Sequence, residues 1–512
     1  MLLALLSLLV LTPDTTLSIV PWPVSVTRTG GAPFPVSGST PILADAGAEA
    51  IAAYLDLLLG VPEGSLWHVP GDPPAPPADS SAAPIRLRLT GDDDLGLEGY
   101  RLDVTETSVD IAAASPAGLF YGVQTLRQLM PARVEFDAAL QGPMAIPPVR
   151  ILDHPRFAWR GAMLDVARHF FEVHEVERFI DMMALYKLNR LHLHLSDDQG
   201  WRIEIPGRPT LTGIGAATQV GGGPGGFYSV GEFRHLVAYA AERFVEVIPE
   251  IDMPGHTNAA LSAIPELNCD GVAPEPYTGI RVGFSSLCVD REETFAFVED
   301  VVRAISSETH TDVFHVGGDE VQTLTPEEYR GFMERVQGIL RRHGRTLMAW
   351  DEVAETAVPV DAGSIIQVWR PQTADTGAHL AGAVARGARL VMSPADRIYV
   401  DMKYDSTSVL GLAWAGTNSV RDAYEWDPAS FVAGVDPAAV LGVEAPMWGE
   451  TVTTMEDVEW LLFPRLPGVA EIGWSPQERR DWSAYRQRLA GQAERWNALG
   501  INYFPSPDVP WH

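Results

Sequence analysis

A short apolar run followed by an amphipathic stretch is the repeating pattern of the chain after residue 150. The runs are five to nine residues long, as buried strands are, and fall at 161–167, 190–196, 245–252, 312–318, 346–350, 364–369, 389–393 and 440–448. Eight strands with helices between them predict a (β/α)8 TIM barrel. A doubly wound sheet is the alternative, but no G-x-G-x-x-G sequence follows a strand.

Two of the intervening stretches carry clear helix signals. Residues 173–188 place four apolar side chains on one helical face: Val176, Phe179, Ile180 and Met183. The stretch 325–343 opens with a capping box, Thr325 and Glu328, and has Pro326 at its first helical position. Gly344 follows its end, as is usual for a helix stop. Both stretches are predicted to be helices of the barrel.

The residues before the barrel predict a small α+β domain over 19–150, which leaves 151–512 for the barrel. The segment YRLDVTETSVDI alternates apolar and polar residues around a polar turn, which is typical of a half-buried hairpin. LFYGVQTLRQLM carries a helical apolar stripe, and the proline-rich residues 71–84 predict a surface loop. No cluster of titratable residues in this domain suggests a site.

Residues 1–18 form a possible signal-like segment. The first twelve, MLLALLSLLVLT, are too few to span a bilayer, which takes about 20 residues. They resemble the apolar region of a secretory signal, although the first basic residue is Arg28 and no A-x-A cleavage site is visible. A buried N-terminal segment is the alternative. We expect a secreted or extracytoplasmic protein with no membrane partner.

The charge balance narrows the classes of partner. With 37 Lys and Arg against 67 Asp and Glu, the formal net charge is −30. Binding of nucleic acid relies on clustered Lys and Arg, so no nucleic-acid partner is expected. A hydrophobic fraction of 46% is enough for a substantial core. The chain is therefore predicted to be a globular protein with one large and one smaller domain.

The only two cysteines are Cys269 and Cys288, which stand 19 positions apart in a loop-like stretch. They could be two buried thiols. In an exported protein they more often form a disulfide that staples the loop, and the sequence favours that interpretation.

Charged and aromatic residues follow all eight predicted strands. Because the active sites of such barrels lie at the carboxyl ends of the strands, these residues should meet in one pocket. In chain order they are Arg168, His169, Asp197, Asp198, Asp252, His256, Asp319, Glu320, Trp350, Trp369, Tyr399, Asp401, Trp448 and Glu450. Aromatic faces stack on sugar rings while carboxylates and arginine hold hydroxyls, so the set predicts a sugar site.

His192 and His194 share a strand face and could suggest a metal site. No H-E-x-x-H motif or cysteine ligand set accompanies them. Hydrogen-bonded barrel histidines are the favoured interpretation, and no metal is expected. His256 could be a general base or a structural hydrogen-bonding residue, and the sequence does not distinguish these.

The adjacent acids Asp319 and Glu320 raise a geometric question. Neighbours on a regular strand point to opposite faces, so the two cannot flank one anomeric carbon as the carboxylate pair of most glycosidases does. Beyond the strand end they could instead reach two neighbouring groups of one sugar. If one group is a 2-acetamido substituent, its carbonyl oxygen can attack the anomeric carbon. Gly317 and Gly318 would let the backbone bend and the sugar approach closely.

Six segments then carry a family resemblance over nearly the whole chain: MLDVARHFF, HLHLSDDQGWRIEI, PEIDMPGHTNAAL, HVGGDE, SPADRIYVDMKY and EAPMWGE. Together they resemble the bacterial β-N-acetylhexosaminidases of glycoside hydrolase family 20. The resemblance implies a small α+β domain before a catalytic barrel. It also implies retaining hydrolysis of terminal non-reducing GlcNAc or GalNAc residues through an oxazolinium intermediate, with no cofactor. The implied partner is a small β-linked carbohydrate.

The resemblance also implies roles for single residues. Glu320 would be the acid/base, Asp319 would bind the acetamido N–H, and Tyr399 would hydrogen-bond the acetamido oxygen. It further implies a disulfide between Cys269 and Cys288.

Nine further residues are implied to bind substrate. The aromatic ones would wall the acetamide pocket or stack on the sugar: Trp350, Trp369, Trp414 and Trp448. The polar ones would hold hydroxyls or support Glu320: Arg168, Asp197, His256, Asp401 and Glu450.

Two other functions stay open on the sequence. A lacto-N-biosidase-like enzyme would release disaccharides and need room for a second sugar, whereas Arg168, Asp401 and Glu450 favour a one-sugar pocket. An aminosugar-binding protein without activity would not need Asp319, Glu320 and Tyr399 together.

Overall fold

The computed structural model describes residues 17–60, 83–91, 94–135, 144–371 and 373–511, and the backbone of 67–68. The predicted signal-like segment lies outside these residues except for its last two positions. Most of the predicted proline-rich loop, 71–82, lies outside them as well.

A seven-stranded sheet covered by two helices forms the N-terminal part. Its strands and the short pair beside it are β1 (Ser25–Arg28), β2 (Phe34–Val36), β3 (Ile42–Ala44), β4 (Trp67–His68), β5 (Ile85–Leu89), β6 (Tyr100–Val104), β7 (Val109–Ala113), β8 (Met144–Ile146) and β9 (Val149–Asp153). The sheet order is β1-β9-β6-β7-β5-β3-β4, while β2 pairs with β8. The predicted hairpin is the antiparallel pair β6 and β7. The helices are α1 (Glu49–Leu58) and α2 (Pro116–Leu129), and α2 contains the predicted stripe.

Eight parallel strands then close into a barrel, which confirms the predicted fold class. They are β10 (Trp159–Asp165), β11 (Arg190–His194), β12 (Glu246–Glu250), β13 (Val313–His315), β14 (Thr346–Trp350), β15 (Ile365–Val368), β16 (Arg389–Met392) and β17 (Val440–Met447). The barrel closes where β10 pairs with both β11 and β17.

Thirteen further α-helices follow in the described part of the chain. They are α3 (Val173–Leu185), α4 (Pro209–Gly213), α5 (Val230–Ala241), α6 (Asn258–Ala263), α7 (Glu292–Ser306), α8 (Pro326–Arg342), α9 (Glu352–Glu355), α10 (Ala374–Ala385), α11 (Ala395–Ile398), α12 (Met455–Leu462), α13 (Leu466–Trp474), α14 (Trp482–Ala490) and α15 (Ala493–Ala498). Both predicted helices are present as α3 and α8. The capping box of Thr325 and Glu328 forms at the start of α8.

The barrel interior changes from apolar to polar along the strands. Because alternate residues share a face, Ile248 and Glu250 of β12 both point inward, as do Met348 and Trp350 of β14. Ile248 and Met348 belong to an apolar cluster inside the barrel. Glu250 and Trp350 each lie two positions closer to the carboxyl end of their strand, and a hydrogen bond joins their side chains. The strands therefore bring polar chemistry to the end where loops form the pocket.

A disulfide and a buried ion pair link separate parts of the chain. Cys269 and Cys288 form a disulfide with their Cα atoms 4.9 Å apart, so the expected pairing is confirmed. Lys187, between α3 and β11, extends to the N-terminal unit, where Nζ lies 3.2 Å from Oδ2 of Asp153. Among the residues described, no helix combines the length and the apolar character that a membrane span needs.

Candidate active site

The loop after β13 carries the two adjacent acids. The backbone turns out of the extended form at Gly317 (φ +64°) and Gly318 (φ +93°), and Glu320 also has a positive φ of 52°. A Cβ on Gly317 would lie 1.8 Å from Oδ1 of Asp252, and one on Gly318 would lie 2.7 Å from the Tyr329 hydroxyl. The predicted bend is present, and the close approach that the glycines permit is that of these two side chains.

Asp319 and Glu320 both lie beside one imidazole. Nε2 of His256 is 3.5 Å from Oε2 of Glu320 and 3.7 Å from Oδ2 of Asp319. Asp319 is buried, whereas the side chain of Glu320 is one-third exposed toward the pocket opening. Two consecutive residues thus present their carboxyl groups to one pocket because neither belongs to a regular strand.

Asp197 lies on the other side of the His256 imidazole, against Nδ1. Its Oδ1 lies 3.3 Å from Nδ1 of His256, and its Oδ2 lies 2.7 Å from an Nη atom of Arg168. Burial alone would raise the pKa of Asp197, but the charges of Arg168 and His256 hold it far below its usual value. The anion in turn raises the pKa of His256 well above its usual value, against the effect of burial.

Asp252 and Asp319 form a buried acidic pair. Each has an atom within 4.8 Å of the other and of His256. Burial first, and the charge of Asp319 second, raise the pKa of Asp252 well above its usual value. Burial raises the pKa of Asp319 as well; the charge of His256 opposes that rise, and the charge of Glu320 adds to it. The surroundings thus raise the pKa of both members of the pair.

Aromatic rings form the wall of the pocket. Trp350 and Trp448 have ring centroids 5.8 Å apart, and Tyr399 lies 6.3 Å from Trp448. Trp369 is stacked at 6.4 Å from Tyr399. Trp414 packs edge-on against Trp369 and Tyr399 at 5.8 Å from each, and it is 54% exposed. The structure brings all four predicted tryptophans together, with Trp414 at the rim.

Asp401 is a buried residue and Glu450 a half-buried one, and they follow β16 and β17 at the pocket end of the barrel. Neither oxygen of Asp401, nor Oε2 of Glu450, has a hydrogen-bond partner within the described chain. Burial and the neighbouring charge of Glu450 raise the pKa of Asp401 well above its usual value. Burial raises the pKa of Glu450 as well, although Arg168 opposes the rise. Buried polar atoms normally have partners, so these oxygens are suited to a polar ligand.

The strand histidines His192 and His194 lie below the pocket, and each uses both ring nitrogens in hydrogen bonds to carboxylates. His192 contacts Glu444 at 2.8 Å and Glu250 at 3.0 Å. His194 contacts Glu250 and, at 3.0 Å, Asp197. These bonds match the interpretation of hydrogen-bonded barrel histidines.

Sequence reasoning missed several carboxylates that hold the predicted residues. Asp165 accepts hydrogen bonds from Nη1 of Arg168 at 3.3 Å and from the amide of Gly449 at 2.9 Å. Glu352 accepts one from the indole of Trp369 at 3.1 Å. The available signal for Asp165 was a carboxylate inside the apolar run GAMLDVA, where only a paired acid is stable.

Comparisons with known proteins agree with this geometry. Residues 157–477 match the model of the glycosyl hydrolase family 20 catalytic domain, and residues 16–154 match that of family 20 domain 2. A β-N-acetylhexosaminidase from Cellulomonas fimi is 41% identical over 501 residues, covering 98% of each chain.

Solved structures are similar over the same length. The family 20 β-N-acetylhexosaminidase from Streptomyces coelicolor A3(2) is 47% identical, with a TM-score of 0.91 over 97% of this chain and 99% of that one. A mutant Streptomyces plicatus β-hexosaminidase in complex with its product GlcNAc is 48% identical, with a TM-score of 0.91 over 97% and 98% of the two chains.

Proposed function

The chain belongs to glycosyl hydrolase family 20, and on that premise we propose that it is an exo-acting, retaining β-N-acetylhexosaminidase. Its substrates are glycans with a terminal non-reducing GlcNAc or GalNAc residue. The observation that carries the proposal is the position of Asp319 and Glu320 beyond the end of β13, side by side against His256.

Glu320 acts as the acid and then as the base. Its proton passes to the glycosidic oxygen while the bond from that oxygen to the anomeric carbon breaks. The carbonyl oxygen of the 2-acetamido group bonds to the same carbon and forms an oxazolinium ion. Glu320 then takes a proton from water as the water oxygen attacks that carbon and the ring opens. Two displacements at one carbon retain its configuration.

Asp319 and Tyr399 aim the acetamido group. The Asp319 carboxylate accepts a hydrogen bond from the acetamido N–H and stabilises the positive charge of the oxazolinium. Burial, and the charge of Asp319 after it, raise the pKa of the Tyr399 phenol well above its usual value. The phenol therefore stays protonated and donates a hydrogen bond to the carbonyl oxygen.

The remaining pocket residues hold the sugar ring. Trp448 offers a face for stacking, and the Arg168 guanidinium lies 4.9 Å from that ring. Asp401 and Glu450 offer unpaired oxygens to hydroxyl groups. A pocket that contacts hydroxyls around one ring accepts a chain end, which supports exo action.

The test is release of chromophore from aryl β-glycosides of GlcNAc, GalNAc and glucose. We expect both acetamido sugars to be cleaved and the glucoside to resist, since it lacks the internal nucleophile. Equal turnover of the glucoside would rule out substrate assistance. Release of a disaccharide unit only, or binding without cleavage, would favour the other two functions.

We also propose that the protein is exported, since its Cys269–Cys288 disulfide suits an oxidising compartment. Fractionation of cells that express the natural chain tests this, and retention of the active protein in the cytoplasm would contradict it.

A further inference from the structure

Glu250, the last residue of β12, is completely buried below the pocket and lies against four ring nitrogens. Its Oε1 lies 3.0 Å from Nε1 of Trp350 and 2.9 Å from Nδ1 of His315. Its Oε2 lies 3.0 Å from Nε2 of His192 and also accepts a hydrogen bond from Nδ1 of His194. One carboxylate thus joins side chains of β11, β13 and β14.

The Oε2 side leads to the acid/base residue. His194 continues from Glu250 to Asp197, and Asp197 contacts both Arg168 and His256. Burial would lower the pKa of His194, but the charge of Glu250 chiefly, with Asp197, raises it well above the usual value. His194 is therefore an imidazolium that donates from both nitrogens, and its position depends on both carboxylates.

The Oε1 side leads to the acetamide wall and to the catalytic loop. Trp350 is a wall residue, held by the hydrogen bond from its indole to Glu250. His315 is the last residue of β13, and Asp319 follows four residues later.

His315 links Glu250 to the catalytic loop through Nδ1. That nitrogen lies 2.9 Å from Oε1 of Glu250 and accepts a hydrogen bond from the backbone amide of Gly317 at 3.0 Å. Burial lowers the pKa of His315, and its Nε2 has no partner among the described residues.

We propose that Glu250 is a positioning residue for catalysis. Its Oε2 holds His194, and through it Asp197 and His256 beside Glu320, while its Oε1 holds Trp350 of the acetamide wall. The carboxylate thereby fixes these two groups of residues relative to each other. The two oxygens of one carboxylate cannot move independently, so a displacement of the residues held by one oxygen also displaces those held by the other. The inference rests on the proposed hexosaminidase function, and Glu250 itself does not touch the sugar.

The substitution Glu250→Gln tests this with little change of shape. An amide has one acceptor and one donor group, whereas N–H groups face both sides of Glu250. Whichever way the amide turns, its NH2 group faces N–H donors, so either His194 or Trp350 loses its hydrogen bond to this side chain. Glu444→Gln is the matched control. Glu444 is equally buried in the barrel and accepts from His192, Trp159 and Gln367, none of which lines the pocket.

We expect Glu250→Gln to lower kcat on an aryl β-GlcNAc by about 10- to 100-fold, the range that outer-shell partners of metal ligands show. KM should stay within about threefold, because the loss concerns groups that act on the transition state. The inhibition constant of a thiazoline mimic of the bicyclic intermediate should rise in parallel. Glu444→Gln should leave kcat and that constant within about threefold, even where both variants lose stability.

Parental kcat and thiazoline affinity in Glu250→Gln, or equal losses in Glu444→Gln, would overturn the proposal. If Glu250→Gln does not fold, His194→Gln becomes the test; it removes the link from Glu250 to Asp197 and also the edge-on contact of the imidazole with Trp448. That variant must show the same loss of kcat and of thiazoline affinity, and parental values would overturn the proposal. Inactivity of the unmodified protein would refute the hexosaminidase function instead, so the two failures are distinct.

Discussion

His256 lies against Glu320, with its Nε2 atom 3.5 Å from Oε2 of the carboxyl group. Its other ring nitrogen faces the ionised Asp197, which keeps the imidazole charged. The imidazolium therefore places its Nε2 side near both Glu320 and Asp319. The two acids share this neighbour, but their chemical tasks differ, and their variants should be separable by kinetics.

Glu320→Gln removes the proton that the leaving oxygen needs. We expect kcat/KM to fall by about 10²–10⁴-fold for glycosides with poor leaving groups, the usual range for general acid–base catalysis. Strongly activated aryl glycosides should lose much less in the bond-breaking step, because their leaving groups need no proton. The measurement is kcat/KM against leaving-group pKa. Glu327→Gln, at an exposed position at the start of α8, is the control, and an equal loss across the series would contradict the acid role.

Asp319→Asn should give a different pattern, with a loss that does not depend on the leaving group. A neutral amide cannot balance the charge of the oxazolinium, so the loss should be about 10²–10³-fold, as for other transition-state donors and charges. Protonation of the leaving group is untouched, so activated and poor substrates should lose similarly. A loss confined to poor leaving groups would assign Asp319 to proton transfer and exclude the proposed role.

The fold and most of the site could be predicted because the chain repeats a local pattern. Each strand is marked by apolar residues, and the barrel gathers the loops after its strands at one end. Asp319 and Trp369 are far apart in sequence, but the fold alone places both at the same end of the barrel. The bend at Gly317 was predictable for the same local reason, since two glycines precede the acids.

The protonation states and the buried connections could not be predicted in this way. Burial raises the pKa of both Asp252 and Asp319 while the charge of His256 lowers it, and these effects depend on packing rather than on neighbours in sequence. The hydrogen bond of Glu250 with Trp350 joins residues 100 positions apart. Glu250 and Glu444 do leave a signal, since each is a carboxylate within an apolar strand, but the sequence does not identify the partners.

Asp401→Asn should lower the activity of the protein and raise its stability. The carboxyl group is buried without a partner among the described residues, which costs free energy until a sugar hydroxyl binds. A buried amide without partners costs less than a charge. We expect kcat/KM to fall at least about tenfold, while the free energy of unfolding rises by about 1–2 kcal/mol, as when other functional polar groups are removed.

The stability gained by Asp401→Asn should increase as the pH rises. The pKa of Asp401 is raised in the folded protein, mainly by burial, so the folded state holds this proton more tightly than the unfolded state. Parental stability is therefore lost as pH rises from the usual pKa through the raised one, and Asn has no such loss. The advantage of Asp401→Asn in urea unfolding should grow with pH and then level off. Asp312→Asn, at an exposed site, is the control; a gain that shrinks as pH rises would contradict the assignment.

Lys187→Met should destabilise the protein without affecting catalysis. The ammonium is fully buried between the two structural units, 2.9 Å from the Tyr100 hydroxyl and 3.2 Å from Asp153. Its loss leaves the Asp153 carboxylate buried without its counter-charge, and breaking such a pair costs about 3–5 kcal/mol. Donation from Trp474 to Asp153 at 2.9 Å persists, so we expect a value near the lower end.

Urea unfolding measures this cost, and kcat/KM on an aryl β-GlcNAc should stay within about twofold because Lys187 precedes β11, at the end of the barrel away from the pocket. The control is Arg234→Met, which breaks the exposed ion pair with Glu308 and should cost no more than about 1 kcal/mol. Adding Asp153→Asn to Lys187→Met should recover part of the loss, since the uncompensated charge is then gone. Equal costs for the two single variants, or no recovery in the double one, would show that Lys187 does not neutralise Asp153 across the boundary between the units.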